Sequence, residues 1–450
     1  MMGDCICALS TATGGALNVV RISGAKAIDI VDKCYRGING RQLADAKTHT
    51  IHYGTIHNDQ GEAIDDVVAA VFRAPKSYTG EDTVELTCHG SAYITGELLR
   101  ELIRCGCRQA EPGEYTRRAF MNGKMDLSQA EAVADLIAST NRATHRMAMS
   151  QLRGNFSSEL SKLRDQLLHL TTLLELELDF SDHEDLEFAD RQELWQLVEQ
   201  IDQRVTQLAH SFEAGNALKN GIPVAIVGKT NVGKSTLLNR LLHDDRAIVS
   251  SIHGTTRDTI EDTIDIQGVT FRFIDTAGLR QTDDEIEQLG IERTYKKIDQ
   301  ASIIIWLTDT PPTKEEAAEA EKLAEGKTLI RVRNKSDLQT PTDSSDADLL
   351  LSAKFGQGVA ELESALIAAS SLPEIQENDV VLTNARHYAA LCHAHDSLER
   401  VKAAMSASLS ADLISEDLRD CLQHLASITG GEITTDEVLS NIFSHFCVGK

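Results

Sequence analysis

With 450 residues, 42% of them hydrophobic, the chain is long enough for two or three domains that each bury a core. Its 44 basic against 69 acidic residues leave a net charge of -25, which repels polyanions at long range and excludes a general nucleic-acid binder, so any RNA contact is local or made through a partner. Apolar runs such as "SIIIWL" and "VVAAVF" fall far short of the roughly twenty residues of a membrane span, "MMGDCICALSTATGG" lacks the basic-then-apolar pattern of a secretion signal, and nine cysteines without framework spacing suit a reducing compartment, so no membrane association and a cytoplasmic location are expected.

Residues 1 to about 118 mix strand-like runs, "LNVVRIS" and "VVAAVFR", with turn clusters such as "APKSYTGED", the pattern of an α+β fold. Cys5 with Cys7 and Cys105 with Cys107 are separated by one residue, closer than the usual zinc-ligand spacing, and are not read as a zinc site. From about residue 119 the pattern turns helical. Leu160, Leu163, Leu167, Leu170 and Leu174 make one apolar face, and Leu194, Leu197, Ile201, Val205, Leu208 and Phe212 make another. "KNGIPVAIVGKTNVGKSTLL" then switches to strand, glycine loop and helix, and βα alternation continues to about residue 372. Helices return after "SLPEIQENDV", with Leu398, Val401, Met405 and Leu409 on one face, while Cys392, His393 and His395 do not share a face. The expected plan is therefore residues 1–118, a helical segment 119–219, an inserted α/β module 220–372 and a second helical segment 373–450. The two helical segments are expected to pack together, because the ends of an inserted module usually lie close to each other.

The central module carries the strongest chemistry. "GKTNVGKS", Gly228 to Ser235, fits the phosphate-loop pattern G-x-x-x-x-G-K-[ST] between a strand and a helix. Backbone amides through Asn231, Val232 and Gly233 close around phosphate oxygens, Lys234 reaches the outer phosphates, Ser235 ligates magnesium, and Thr236 follows in the first helical turn. "FRFIDTAG" ends a strand with Asp275, Thr276, Ala277 and Gly278, where a carboxylate can hold the magnesium shell and an amide can meet the γ-phosphate. "RVRNKSD" supplies Asn334, Lys335, Ser336 and Asp337, and an aspartate there can accept from N1 and the exocyclic amine of guanine; adenine lacks that pair of donors. "SAK", Ser352, Ala353 and Lys354, follows at the spacing of the last base-contacting loop. The module resembles the translation-factor-related GTPases, and GTP is the expected nucleotide.

Ras-like enzymes place a glutamine after the glycine of the second strand motif to orient the attacking water, but Leu279 stands here. Asp283, Asp284, Glu285 and Glu287 in the acidic run that follows are all candidates to replace it. Asn231, together with carbonyls of the loop Ser250, Ser251, Ile252, His253, Gly254, Thr255 and Thr256, can cage a monovalent cation beside the phosphates, and Thr256 is the expected second magnesium ligand.

"VVRISG", "SYTGEDTVELTCHG", "EPGEYTRRAFMNGKMDLSQAEAVADLI", an inserted GTPase module and a terminal "FCVGK" together resemble the MnmE (TrmE) family of tRNA uridine-34 modification GTPases over essentially the whole chain. The resemblance implies a multidomain α/β and α protein: an N-terminal α+β folate-binding and dimerisation domain, a helical domain, and an inserted Ras-like α/β GTPase domain. It implies a homodimer that works with MnmG, an FAD protein, in a heteromeric complex to install an aminomethyl or carboxymethylaminomethyl group at C5 of uridine 34. The one-carbon unit would come from a tetrahydrofolate derivative, in the 5,10-methylene or 5-formyl form, and tRNA would bind mainly through the complex. The matching folate positions are Arg21, Glu85, Lys124 and Lys450, so the tail would fold back to that site, while Cys447 reads as a packed thiol. The resemblance assigns K+ to Asn231, Ser250, Ile252 and Thr255, Mg2+ to Ser235 and Thr256, and water orientation to Glu287. Potassium would let two GTPase modules of a dimer close face to face. "TATGGALNVV" departs from the family in lacking a proline and a longer glycine run before "RISG". A ribosome-assembly GTPase, which usually carries a basic RNA-binding domain or a second GTPase module, and a GTP-dependent scaffold or switch are the rival readings.

Overall fold

The computed structural model describes residues 3–179, 191–244, 262–274, 300–338, 347–370, 379–407 and 409–431, together with 439, 442–444, 446 and 449. In chain order the elements are β1 (Cys5–Leu9), β2 (Leu17–Ser23), α1 (Ala27–Cys34), β3 (Tyr35–Gly37), β4 (Thr50–His57), β5 (Ala63–Phe72), β6 (Thr83–His89), α2 (Ala92–Cys105) and β7 (Cys107–Gln109). Five helices follow: α3 (Glu114–Met121), α4 (Leu127–Ala138), α5 (Arg142–Leu152), α6 (Asn155–Asp179) and α7 (Arg191–Asn220). The inserted module runs β8 (Ile222–Val227), α8 (Lys234–Asp244), β9 (Asp262–Ile266), β10 (Val269–Phe273), β11 (Ile303–Thr308), α9 (Lys314–Leu323), β12 (Thr328–Arg333), β13 (Leu349–Leu350) and α10 (Val359–Ala369). Helices α11 (Ala385–Ser406) and α12 (Ala411–Thr429) close the sequence of elements. Among the described residues no helix is long and apolar enough to cross a membrane.

The chain divides into two compact units, one of Met1–Ile137, Gln151–Val198 and Asp396–Lys450, the other of Ala138–Ser150 and Glu199–His395. The first holds a seven-stranded sheet in the order β3-β4-β5-β6-β2-β1-β7. Its strands alternate because their side chains point to opposite faces in turn. Val20 and Ile22, Val84 and Leu86, and Val67, Ala69 and Val71 are buried with α1 and α2 residues such as Val31, Leu98 and Leu102. On the opposite face lie Leu17 and Arg21 of β2, Glu85 of β6, Val68 of β5, and Ile51 and Tyr53 of β4. Cys5, Cys7, Cys105 and Cys107 are buried in the core as packed thiols, together with Cys34 and Cys88.

In the same unit α6 buries all five leucines of its stripe, and packs along α12, whose Ile414, Leu418, Cys421, Leu425 and Ile428 repeat at four and three residues. Fully burying each such side chain contributes roughly 1.5–3 kcal/mol, so these stripes hold the helical layer. Leu439, Phe443 and Phe446 pack with Leu127 and Ala130 of α4. Gly113, at φ 65, is where the C-terminal segment comes close: a Cβ there would meet the Phe443 carbonyl at 2.8 Å.

The second unit holds a six-stranded sheet in the order β13-β12-β11-β8-β10-β9, parallel throughout except for the β9–β10 pair. Such strands, covered on both faces, read as continuous apolar runs, which is why "SIIIWL" looked like a buried strand; Ile303 to Leu307 are all buried. The helical stretches on either side of this module pack together within the unit: Phe212 stacks on Tyr388 with centroids 4.6 Å apart, and the His395 imidazole meets Asp202 Oδ1 at 2.6 Å. Ser211 Oγ accepts from the Leu382 amide at 3.1 Å. Asn141, just before α5, donates to Thr270 Oγ1 of β10 at 2.8 Å.

Two details of the helical stripes differ from the sequence expectation. On α7 the buried line runs Leu194, Val198, Ile201, Val205 and Leu208, with Leu197 and Phe212 half-buried at its rim. Three- and four-residue steps both keep a side chain on a helix face, and the four-residue step to Val198 lies nearer its centre. Leu409 is 43% exposed rather than on the α11 face, because the helix ends at Ser406 and the chain turns, with the Leu409 amide donating to the Ala404 carbonyl at 3.0 Å. Ala404 takes the buried place instead.

Candidate functional site

Strand β8 delivers the chain to the phosphate loop, and α8 begins at Lys234. The loop needs its glycines for space: a Cβ at Gly228 would lie 2.2 Å from the Leu307 carbonyl, and one at Gly233 would lie 2.3 Å from Asn334 Nδ2. Asn231 sits in the left-handed region at φ 64, a conformation asparagine tolerates better than most residues. Lys234 Nζ donates to the carbonyls of Gly228 at 2.6 Å and Lys229 at 2.7 Å, which holds the ammonium inside the curve of the loop. Burial pushes the Lys234 amine below its ordinary pKa; a phosphate beside it would favour the charged form again. Ser235 and Thr236 occupy the first turn of α8, where the helix dipole favours anions.

Asn334 joins the predicted base loops to the phosphate loop. It is 3% exposed. Its Nδ2 donates to the Val232 carbonyl at 2.8 Å, and its Oδ1 accepts from the Ala353 amide at 2.9 Å. One side chain thereby ties together the loop after β8, the loop after β12 and the loop after β13. Ser352 Oγ donates to Asp337 Oδ1 at 2.6 Å, which aims a carboxylate that has a second oxygen left to accept. Lys335, at φ 61, donates to Asp309 at 2.9 Å. Arg240 of α8 donates to the Lys354 carbonyl at 3.3 Å, so the helix that starts at the phosphate loop also supports the last base loop.

The N-terminal sheet gathers the second group of predicted residues. Arg21 and Glu85 are direct cross-strand partners on β2 and β6, and Arg21 Nε donates to Glu85 Oε1 at 2.8 Å. The Arg21 guanidinium also lies 5.5 Å from the Tyr78 ring centre and 5.6 Å from that of Tyr115, both within cation–π range. Tyr115 donates to the Arg21 carbonyl at 2.7 Å, and Lys124 Nζ donates to the Pro75 carbonyl at 3.0 Å with its stem against Gly80. Arg21 and Lys124 thus both touch the loop that follows β5. That loop is fixed from several sides: Asn122 donates to the Thr79 carbonyl at 2.7 Å, Ser23 Oγ donates to Glu81 at 2.8 Å, and Arg118 pairs with Glu81, Glu114 and Asp4. Burial works against a charged Glu114, yet hydrogen bonds from Arg108, the Glu111 amide and Arg118 hold its carboxyl below the usual range.

Tyr78, Tyr115, Glu81 and Arg118 were not singled out from the sequence, although they stand in "SYTGED" and "EPGEYTRRAF". A tyrosine in a turn cluster gives no sign of which cation it will face. Ser250, Ser251, Ile252, His253, Gly254, Thr255 and Thr256 lie outside the described residues, as do Asp275, Thr276, Ala277, Gly278, Glu287, Cys447 and Lys450. Gly449 is described: its carbonyl accepts from Ser10 Oγ at 3.1 Å, at the end of β1.

Residues 5–124 match the family described as GTP-binding protein TrmE N-terminus, and residues 127–447 match the MnmE helical domain. The tRNA modification GTPase MnmE of Parabacteroides distasonis is 56% identical over 99% of both chains. That of Phocaeicola vulgatus is 52% identical and that of Flavobacterium johnsoniae 48% identical, each again over 99% of both chains. At this identity and coverage the chain belongs to the MnmE family of tRNA modification GTPases.

Proposed function

We propose that this chain is a potassium-dependent GTP hydrolase that acts with MnmG to add an aminomethyl or carboxymethylaminomethyl group at C5 of uridine 34 in tRNA, using a tetrahydrofolate one-carbon unit. The observation that carries the nucleotide part is the double hydrogen bond of Asn334, which assembles phosphate and base loops into one site. Asp337 would accept from N1 and N2 of guanine, and Lys234 would hold the outer phosphates. Ser235, with Thr256, offers the hard hydroxyl oxygens that suit Mg2+, and Asn231, with Ser250, Ile252 and Thr255, offers side-chain and backbone oxygens that suit K+. Both cations supply positive charge where negative charge develops on the transferred phosphoryl group. Glu287 would orient the attacking water.

For the folate part, the support is the Arg21–Glu85 pair flanked by Tyr78 and Tyr115, with Lys124 bonded to the same loop. The return of Gly449 to the end of β1 is consistent with Lys450 as a fourth ligand. Deleting Lys450 should weaken binding of a tetrahydrofolate derivative while GTP affinity stays near wild type; unchanged folate affinity would remove the tail from the site. A cytoplasmic homodimer completes the reading, and Leu17 and Val68, exposed on the open sheet face, are suited to a dimer contact. The test of the whole is reconstitution: this chain, MnmG, tRNA, GTP, Mg2+, K+ and methylenetetrahydrofolate should yield C5-modified uridine detected by mass spectrometry of digested tRNA. Unmodified uridine 34 with demonstrably active MnmG would contradict it.

A further inference from the structure

We propose that the β3–β4 edge of the N-terminal sheet is an RNA contact that seats one unpaired nucleotide. Cations are concentrated in the loop after β3, although carboxylates lie close by: Asp32 holds the loop, and Asp65 and Asp66 stand on β5 beside β4, Asp66 bonded to the Tyr53 hydroxyl. Between Lys33 and His57 four cations, Lys33, Arg36, Arg41 and Lys47, stand against one carboxylate, Asp45, in a protein of net charge -25. Arg36, Arg41 and Lys47 are exposed, and among the described residues no carboxylate pairs with them. Elsewhere in the same unit arginines such as Arg21, Arg104, Arg108 and Arg118 are committed to ion pairs. Unpaired cations on an acidic protein form the local footprint that a phosphate backbone needs.

The edge is also hollow. Pairing of β3 with β4 stops at Gly37 and Gly54, and the following loop stands off from β4. A cavity of about 270 Å³ opens there, lined by Tyr35, Asn39, Arg41, Gln42, His52 and Tyr53 among others, with no carboxylate in its wall. Tyr35 is 4% exposed, and its hydroxyl is buried without a hydrogen-bond partner. Such a group normally finds one. The ring is fixed by the sheet, because a Cβ at Gly54 would come within 2.5 Å of it. The loop is fixed too: Asp32 accepts from the amides of Leu43 and Ala44 at 2.7 and 2.8 Å, and Arg73 donates to the Ala46 carbonyl at 2.9 Å. Tyr53, 51% exposed, offers a ring face for stacking, and Asn39 and Gln42 offer amides to a base edge. Unpaired RNA bases are read in this way, by aromatic stacking and edge hydrogen bonds beside a basic track.

That the RNA is tRNA rests on the function proposed above. The test uses the full chain and a fluorescently labelled tRNA anticodon stem-loop, titrated at about 50 and 200 mM salt. The double variant Arg36→Glu with Arg41→Glu should bind at least tenfold more weakly at the lower salt and reduce the log–log salt slope by about 2. Tyr35→Phe should weaken binding severalfold with the slope unchanged, and both variants should keep the wild-type thermal unfolding transition and circular dichroism spectrum, which shows that the N-terminal sheet folds. Wild-type affinity and slope in the double variant would overturn the proposal. So would a loss of dimer with RNA affinity intact, which would give the edge to a second copy of the chain. In the reconstituted reaction, an unchanged KM for tRNA in the double variant overturns this inference while leaving the proposed function standing; a wild-type protein that modifies nothing contradicts that function instead, and the titration still decides the RNA contact.

Discussion

Asn334 shows how one buried residue organises a site. It spends both ends of its amide on backbone groups of other loops, so the loop that carries Asp337, the proposed guanine acceptor, is held in register with the phosphate loop. Asp337→Asn replaces one acceptor with a donor against guanine's N1 and N2 donors. GTP affinity should fall roughly 10- to 100-fold, and xanthosine triphosphate, which presents an oxygen at that edge, should bind better than to wild type. Equal GTP binding by both proteins would place the base elsewhere. Glu287→Ala should lower GTP turnover about a hundredfold or more while leaving GTP affinity near wild type, since it removes only water orientation; a parallel fall in affinity would make Glu287 a binding residue. Asn334 and Asp337 are legible in sequence because they lie in a short motif whose spacing has a physical cause, whereas Glu287 is singled out from four acidic candidates only by the family resemblance. Tyr78 and Tyr115 are not legible, because their role arises only when β2, the loop after β5 and α3 come together around Arg21.

At the scale of elements, hydrophobic period was enough to foresee the strand "LNVVRIS", which is β2 residue for residue, and the leucine face of α6. It was less able to say where a stripe stops. Leu409 continues the apolar spacing of α11, but a single turn after Ser406 takes it out of the helix, and spacing carries no signal of that turn. Close approaches are equally silent in sequence. Gly215 lies in the interior of α7, where alanine would favour the helix by about 1 kcal/mol. A Cβ there, however, would lie 1.9 Å from the Leu382 carbonyl, a backbone atom that cannot swing aside. Overpacking of this kind costs about 1–3 kcal/mol, so Gly215→Ala should shift the urea unfolding midpoint downward; an upward shift would show that propensity outweighs the contact.

For the whole molecule, the acidic charge and the local chemistry point in different directions, and both matter. A net charge of -25 keeps polyanions at a distance, and the phosphate contacts proposed above are local, at the start of α8 and beside a cluster of cations. The two compact units each interleave distant stretches of the chain, which explains why the sequence could indicate an insertion yet not the exact partition of helices between units. The proposed potassium site would link residue chemistry to a face-to-face closure of two GTPase modules; of its proposed ligands the described residues include Asn231, which sits in the left-handed region at φ 64. The most direct test is steady-state GTP hydrolysis by the purified protein in potassium against sodium at equal ionic strength. Strong stimulation by potassium is the predicted result, and equal rates in the two salts would contradict the account.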